Sequence, residues 1–113
     1  MIKIYHNPRC SKSREGLSIL EDSGKEFEIV KYLDTVPSVS ELESVLELLN
    51  ISPLALVRKN EAIWKENYKD KTLTDTEIIA AMVAHPKLIE RPIVINGKKA
   101  VIGRPPSEIK NII

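Results

Sequence analysis

The first 32 residues read as a strand, a helix and a second strand, and this order constrains the fold more than any other feature. Residues 2 to 6 alternate apolar and polar side chains, as a half-buried strand does. Residues 11 to 23 place leucines at helical spacing and are followed by Gly24, a natural helix stop. Residues 27 to 32 are rich in β-branched and aromatic side chains. We therefore predict a right-handed parallel β-α-β unit with an open cleft at the carboxyl end of the first strand.

The middle of the chain, from residue 38 to residue 88, changes to a helical period. Capping-box patterns begin at both Ser38 and Ser40, and the sequence leaves open which of the two starts the first helix. We predict that the whole stretch is a helical insertion. Within it, the mixed-charge run from residue 59 to residue 71, which includes Trp64, is predicted to be a solvated face.

The last part of the chain predicts a hairpin and a terminal helix. Residues 93 to 95 and 100 to 102 are apolar and β-branched, and they flank Asn96-Gly97, the strongest short-range hairpin signal. Residues 105 to 113 begin with two prolines and continue with isoleucines at helical spacing, which indicates an amphipathic helix.

The complete order is β-α-β, helical insertion, β-β-α, which predicts an α/β chain with a thioredoxin-like fold. A length of 113 residues suits one domain. We predict a single thioredoxin-like domain over residues 1–113, with residues 1–34 and 89–113 as its core and residues 38–88 as the insertion.

The charge balance argues against broad classes of partner. The formal net charge is +1, so the chain offers no general attraction to nucleic acid or to a membrane surface. No apolar run approaches the roughly 18 residues that a spanning helix needs, and the N-terminus leads directly into a strand pattern. We expect a cytoplasmic protein that has neither nucleic-acid nor membrane partners.

The stretch from Tyr5 to Arg14 carries the chemistry. It holds the only cysteine, Cys10, at the start of the predicted helix, where unpaired N–H groups and nearby basic side chains favour a thiolate and can also cradle a tetrahedral oxyanion. Cys10 is the candidate nucleophile and His6 its candidate charge partner, while Ser11 and Arg14 are candidates for oxyanion binding. A single cysteine excludes an internal disulfide, and two histidines beside it make no metal-ligand cluster, so we expect no metal.

Four separated motifs occur in order along the chain. They are His6-Asn7-Pro8-x-Cys10-x-x-Ser13-Arg14, Leu56-Val57-Arg58-Lys59-Asn60-Glu61, Glu90-Arg91-Pro92-Ile93-Val94 and Gly103-Arg104-Pro105-Pro106-Ser107-Glu108. Together they resemble the glutaredoxin-linked arsenate reductases, the ArsC family. The sequence ends soon after its last predicted helix begins, and in this it is more similar to the short chromosomal branch of the family.

This resemblance implies a function and a role for each matching residue. It implies that the cysteine matching Cys10 attacks arsenate and that arginines matching Arg58, Arg91 and Arg104 hold the oxyanion. Pro92 matches the cis-proline that faces the cysteine. It further implies reduction of arsenate to arsenite, in arsenic detoxification, with no bound cofactor, with glutathione as co-substrate and with glutaredoxin as partner.

Other readings of the same residues remain. The Spx regulators share the fold, bind RNA polymerase and typically carry Cys-x-x-Cys, whereas this chain has Ser13 at the second position. The unrelated phosphatase-like arsenate reductases use Cys-x5-Arg, but the corresponding residue here is Gly16, so that class is excluded. Gly16 inside a helix either weakens the helix prediction or marks close packing. A regulator or binding protein without turnover is the alternative to an enzyme, and a thiol reductase for another substrate is a third reading.

Overall fold

The computed structural model describes all residues from 1 to 113, and its centre is a four-stranded sheet. The strands lie in the order β2-β1-β3-β4, with β1 parallel to β2 and antiparallel to β3, and with β3 antiparallel to β4. Their bounds are β1 Ile2–Tyr5, β2 Phe27–Val30, β3 Ile93–Asn96 and β4 Lys99–Ile102. The predicted hairpin is confirmed, because Gly97 takes the left-handed φ of +64° between β3 and β4.

Five α-helices and two 3₁₀ helices complete the secondary structure, and the predicted order β-α-β, helices, β-β-α is confirmed. None of the helices is both long and apolar enough to cross a membrane. The helices are α1 Ser11–Asp22, α2 Val39–Leu49, α3 Pro53–Leu56, α4 Ala62–Asn67 and α5 Asp75–Ala84, and the 3₁₀ helices are Pro86–Leu88 and Pro106–Asn111.

The chain forms two compact units, of which the first comprises residues 1–35 and 91–113 and contains the sheet. Its core lies where α1 and the terminal 3₁₀ helix cover the sheet. Alternation along β1 directs every second side chain into this core. The buried core residues are Ile2, Ile4, Leu20, Val94 and Ile109.

The second unit, residues 36–90, is helical. Ser38 and not Ser40 caps α2, since its hydroxyl accepts the Glu41 N–H at 3.1 Å. Thr74 and Glu77 form a reciprocal capping box at the start of α5. Helices α2 and α3 both pack against α5, which buries the apolar faces that the sequence period predicted.

The prediction of a solvated face over residues 59 to 71 is wrong at Trp64. This indole is 6% exposed and lies in α4, a short helix that the mixed charges of the run concealed. Tyr68 stacks on it with ring centroids 5.3 Å apart. The large apolar area of tryptophan outweighs the polar neighbours in the sequence, so the side chain turns inward.

Two elements also differ from the prediction, β2 in where it ends and the C-terminal segment in its type of helix. β2 stops at Val30, because the Lys31 carbonyl accepts the N–H groups of Asp34 and Thr35 at 3.0 and 2.9 Å and so starts a turn. The C-terminal segment is a 3₁₀ helix and not an α-helix, with i to i+3 bonds such as Glu108 N–H to the Pro105 carbonyl at 3.0 Å.

Pro92 packs against two glycines that are far apart in the sequence, Gly16 and Gly103. A Cβ at Gly16 would lie 3.0 Å from Pro92 Cγ and 2.9 Å from the terminal carbon of Ile109. A Cβ at Gly103 would lie 2.8 Å from the same proline carbon. The Gly103 N–H also donates to the Pro92 carbonyl at 2.8 Å. Gly16 therefore marks close packing between α1 and the stretch that precedes β3.

We predict that Gly16→Ala destabilises the protein although alanine favours helices. Helix propensity alone would stabilise the variant by about 1 kcal/mol. Overpacking against the buried Pro92 ring costs about 1–3 kcal/mol, so we expect a net loss in the free energy of unfolding. Urea denaturation measures it, with Ser18→Ala on the exposed face of α1 as the control. A variant more stable than the wild type would contradict the close contact.

Candidate active site

The loop between β1 and α1 holds Cys10 through short-range hydrogen bonds. The Asn7 side-chain oxygen accepts the Arg9 N–H, and the Asn7 carbonyl accepts the Cys10 N–H, both at 3.0 Å. The Cys10 carbonyl then accepts the Arg14 N–H at 3.0 Å, which is the first helical bond. Cys10 is thus the N-cap residue of α1, with extended backbone angles and a half-buried side chain.

Two arginines from the far end of the chain reach the Cys10 sulfur. Nη2 of Arg104 lies 3.4 Å from Sγ, and the side chain of Arg91 hydrogen-bonds the sulfur. Arg104 also donates from Nε to the Arg91 carbonyl at 2.8 Å, so the two residues hold each other in place. The Arg91–Pro92 peptide bond is cis, and Arg91 is only 8% exposed.

These neighbours set the protonation of the thiol. Burial raises the pKa of Cys10, but four opposing effects outweigh it and leave the pKa below its ordinary value. The backbone N–H of Ser13 contributes first, then the hydrogen bond and charge of Arg91, then the charge of Arg104. The Ser13 amide belongs to the first turn of α1, where N–H groups without a helical partner favour an anion. The site therefore favours a thiolate.

His6 contacts Ser13 and not the thiol that sequence reasoning gave it as a partner. Its Nδ1 lies 2.7 Å from Ser13 Oγ, and both side chains are buried. The same hydroxyl oxygen accepts the Asn7 N–H at 3.0 Å. A neutral imidazole that carries its proton on Nε2 can accept the Ser13 hydroxyl proton at Nδ1.

Electrostatics agree with a neutral His6. Burial lowers the pKa of His6, a backbone hydrogen bond with Ser13 raises it, and the charges of Arg14 and Lys31 lower it further, with a net shift below the ordinary value. His6 is thus poorly suited to be a cation beside the sulfur. It instead anchors Ser13, whose backbone amide faces Cys10.

The structure places the remaining predicted residues as follows. Arg58 lies in the helical unit, where its Nη1 pairs with Glu90 Oε1 at 2.8 Å and its Nε lies 4.0 Å from Glu61 Oε1. Ser11 is the exposed first residue of α1. Arg14 is also exposed, and its Nη1 donates to the Pro8 carbonyl at 3.0 Å, so it braces the Cys10 loop.

Two residues with clear roles were missed as site residues in the sequence. Asn7 shapes the turn, and its position before Pro8 was the available signal. Ser13 was noted only as the position without a second cysteine, although it bonds His6 and faces the thiol. The chain presents no group of three or more histidine, cysteine or carboxylate side chains that could hold a metal. The arrangement is a nucleophilic thiol beside two guanidinium groups and a helix N-terminus, and it suits attack on a bound anion.

Comparisons with known proteins agree with this geometry. The model described as the ArsC family matches residues 5–112. The chain is 44% identical to "Arsenate reductase" of Neisseria meningitidis over 99% of its own length and 97% of that protein. It is 47% identical to "Uncharacterized protein YfgD" of Escherichia coli, with coverage of 99% and 96%. The solved structure "Arsenate reductase from Vibrio cholerae" superposes with a TM-score of 0.94 at 46% identity, covering 99% of this chain and 97% of that one. The predicted α/β thioredoxin-like fold and the predicted resemblance are confirmed.

We predict that Cys10 reacts as a thiolate below the pH expected of a free thiol. The rate of iodoacetamide alkylation against pH should have its midpoint below the unperturbed value of about 8.5. Arg91→Met and Arg104→Met should each raise that midpoint. Lys98→Met, which removes an exposed cation from the hairpin turn, is the matched control and should not move it. A midpoint that is the same in all four proteins would mean that the arginines do not act on the sulfur.

We also predict an acid-dependent loss of stability that comes from His6. Because its pKa is lower in the folded state, its contribution is complete above the unfolded value of about 6.5 and falls as the pH drops through that value towards the folded pKa. His6→Gln should show a smaller change in unfolding free energy between about pH 7.5 and about pH 5.5 than the wild type. Equal changes in the two proteins would contradict a lowered pKa at His6.

Proposed function

This chain belongs to the ArsC family, and from that premise we propose that it is an arsenate reductase, an oxidoreductase that converts arsenate to arsenite with Cys10 as its nucleophile. The observation that carries the proposal is the Cys10 sulfur beside the guanidinium groups of Arg91 and Arg104. Arsenate is a tetrahedral oxyanion, so one site must both activate a thiol and neutralise an anion.

The first step forms a bond between sulfur and arsenic. The Cys10 thiolate attacks arsenate, and one arsenate oxygen leaves as water after protonation, giving a Cys10–arsenate adduct in which arsenic is still pentavalent. Thiolate and arsenate repel each other, so fixed cations must offset the charge as the adduct forms. The planar fork of Arg91 or Arg104 can grip two oxygens and stays protonated throughout.

External thiols supply the two electrons in the following steps, because the chain has no second cysteine. A glutathione thiolate attacks the Cys10 sulfur, the sulfur–arsenic bond breaks, and arsenic leaves with the electron pair as arsenite. The resulting mixed disulfide between Cys10 and glutathione is reduced by glutaredoxin, which regenerates the thiol. The cytoplasm, where thiols are kept reduced, is the compartment that suits this cycle.

The remaining predicted residues receive proposed roles in the same site. Arg58 would be a third cation for the oxyanion, and its ion pair with Glu90 would fix its orientation. Ser11 would contribute an amide and a hydroxyl at the start of α1. Arg14 and His6 act on the loop that carries Cys10, through Pro8 and Ser13 respectively. Pro92 is structural, seated between two glycines.

The test is arsenate-dependent oxidation of NADPH, coupled through glutathione, glutaredoxin and glutathione reductase. We expect the wild type to turn over and Cys10→Ser to be inactive. Arg91→Ala and Arg104→Ala should lose activity on the order of 10²–10³-fold, as on removal of an oxyanion donor, and the lysine variants should lose less. Ser18→Ala is the control on the opposite, exposed face of α1.

Trapping checks the order of the steps. Without glutaredoxin, mass spectrometry should find one glutathione on Cys10 after arsenate is added, and glutaredoxin should remove it. Full turnover with thioredoxin alone would contradict the scheme. Absence of arsenate-dependent oxidation with a fully reduced, folded protein would end the enzymatic reading and favour a regulator or binding protein without turnover.

A further inference from the structure

A cleft of about 340 Å³ opens beside the Cys10 loop, within the unit that contains the sheet. One wall is the loop that leads into α1, including Pro8 and Arg9, and the other is the turn after β2, including Lys31, Leu33 and Asp34. The cleft thus lies at the carboxyl ends of the two parallel strands, where open α/β sheets characteristically bind ligands. The chemistry proposed for Cys10 leaves this cleft unused.

Hydrogen bonds fix both walls. The Asn7 side chain accepts the Arg9 N–H at 3.0 Å, which shapes the first wall. The Lys31 carbonyl accepts the N–H groups of Asp34 and Thr35, so Lys31 and Asp34 are carried by one turn. The His6 N–H donates to the Val30 carbonyl at 3.0 Å and ties the two walls together. The cleft is therefore pre-formed, as small-molecule sites usually are.

The charged side chains of the cleft form a distinctive set. Arg9 and Lys31 are cationic and Asp34 is anionic, and all three are exposed. None of them takes part in a salt bridge of the structure. Two cations and one carboxylate complement a small molecule that carries two carboxylates and one ammonium group.

We propose that this cleft binds the co-substrate thiol, a small zwitterionic peptide of the glutathione type, with its carboxylates at Arg9 and Lys31 and its ammonium group at Asp34. The inference rests on the proposed function, which requires an external thiol. Glutathione carries the matching two carboxylates and one ammonium group. Such a tripeptide is roughly 10 Å long when extended, and Cys10, whose sulfur the thiol must meet, directly follows Arg9 of the first wall.

Binding is tested without turnover by using S-methylglutathione, which cannot react with Cys10 or arsenate. Titration into the ¹⁵N-labelled protein should move the amide signals of Arg9, Lys31, Leu33 and Asp34 in a saturable way. Lys31→Glu and Arg9→Glu should each weaken binding roughly fivefold to tenfold, the loss expected for a charge-assisted contact. Lys98→Met, remote from the cleft in the hairpin turn, should bind as the wild type does.

Asp34 offers a sharper test of orientation. Asp34→Asn should weaken binding of S-methylglutathione but leave binding of its N-acetyl derivative, which has no ammonium group, unchanged. Equal losses for both probes would overturn the placement of the ammonium group at Asp34. Absence of saturable binding, or signal changes confined to residues outside the cleft, would overturn the site itself.

Kinetics separate this inference from the proposed function. In the coupled assay, Lys31→Glu should raise the KM for glutathione and leave the KM for arsenate unchanged. Because Lys31 also acts on His6, the alkylation midpoint of Cys10 should be measured in the same variant and should stay at the wild-type value. If Lys31→Glu has the wild-type KM for glutathione and normal turnover, the cleft is not the glutathione site, although the protein is still an arsenate reductase. If the wild type shows no turnover, the proposed enzymatic function is wrong. The titration with S-methylglutathione then still tests whether the cleft binds the peptide.

Discussion

The seat of Pro92 between Gly16 and Gly103 is the contact on which the site depends. It brings the stretch before β3 and the stretch after β4 against the first half of α1. Arg91 precedes this proline and Arg104 follows the second glycine, so both guanidinium groups arrive at the sulfur that caps the helix. Any added carbon at either glycine would push these segments apart, and the charge around Cys10 would change with them.

The thiol itself is balanced between opposing effects. Burial disfavours its charged form, and an amide dipole with two arginines more than compensates. Because Cys10 is only half-buried, a substrate can still reach it. The buried His6–Ser13 pair supports this arrangement without contributing a charge, since the imidazole is held neutral by its surroundings.

Most of the fold could be predicted from local patterns in the sequence. Residues close in sequence determine the alternation in β1, the Asn96-Gly97 turn and the order of helices and strands. Each of these features was predicted. Trp64 was misplaced because charged neighbours hide a burial that depends on distant contacts. In the site, the family motifs singled out Cys10 and the arginines, but no pattern in the sequence reveals that Ser13 lies between His6 and the thiol. The convergence of Arg58 on the same site stays a prediction.

Hydrogen bonds between residues 6 and 14 shape the loop that carries Cys10, and one further backbone bond joins His6 to Val30. The cations that face the sulfur come from the other end of the chain. Nucleophile and anion receptor are therefore separable parts, one encoded within nine consecutive residues and the other by the C-terminal third. Such a division lets the receptor diverge towards other oxyanions, or lose anion binding altogether, while the reactive thiol keeps its geometry.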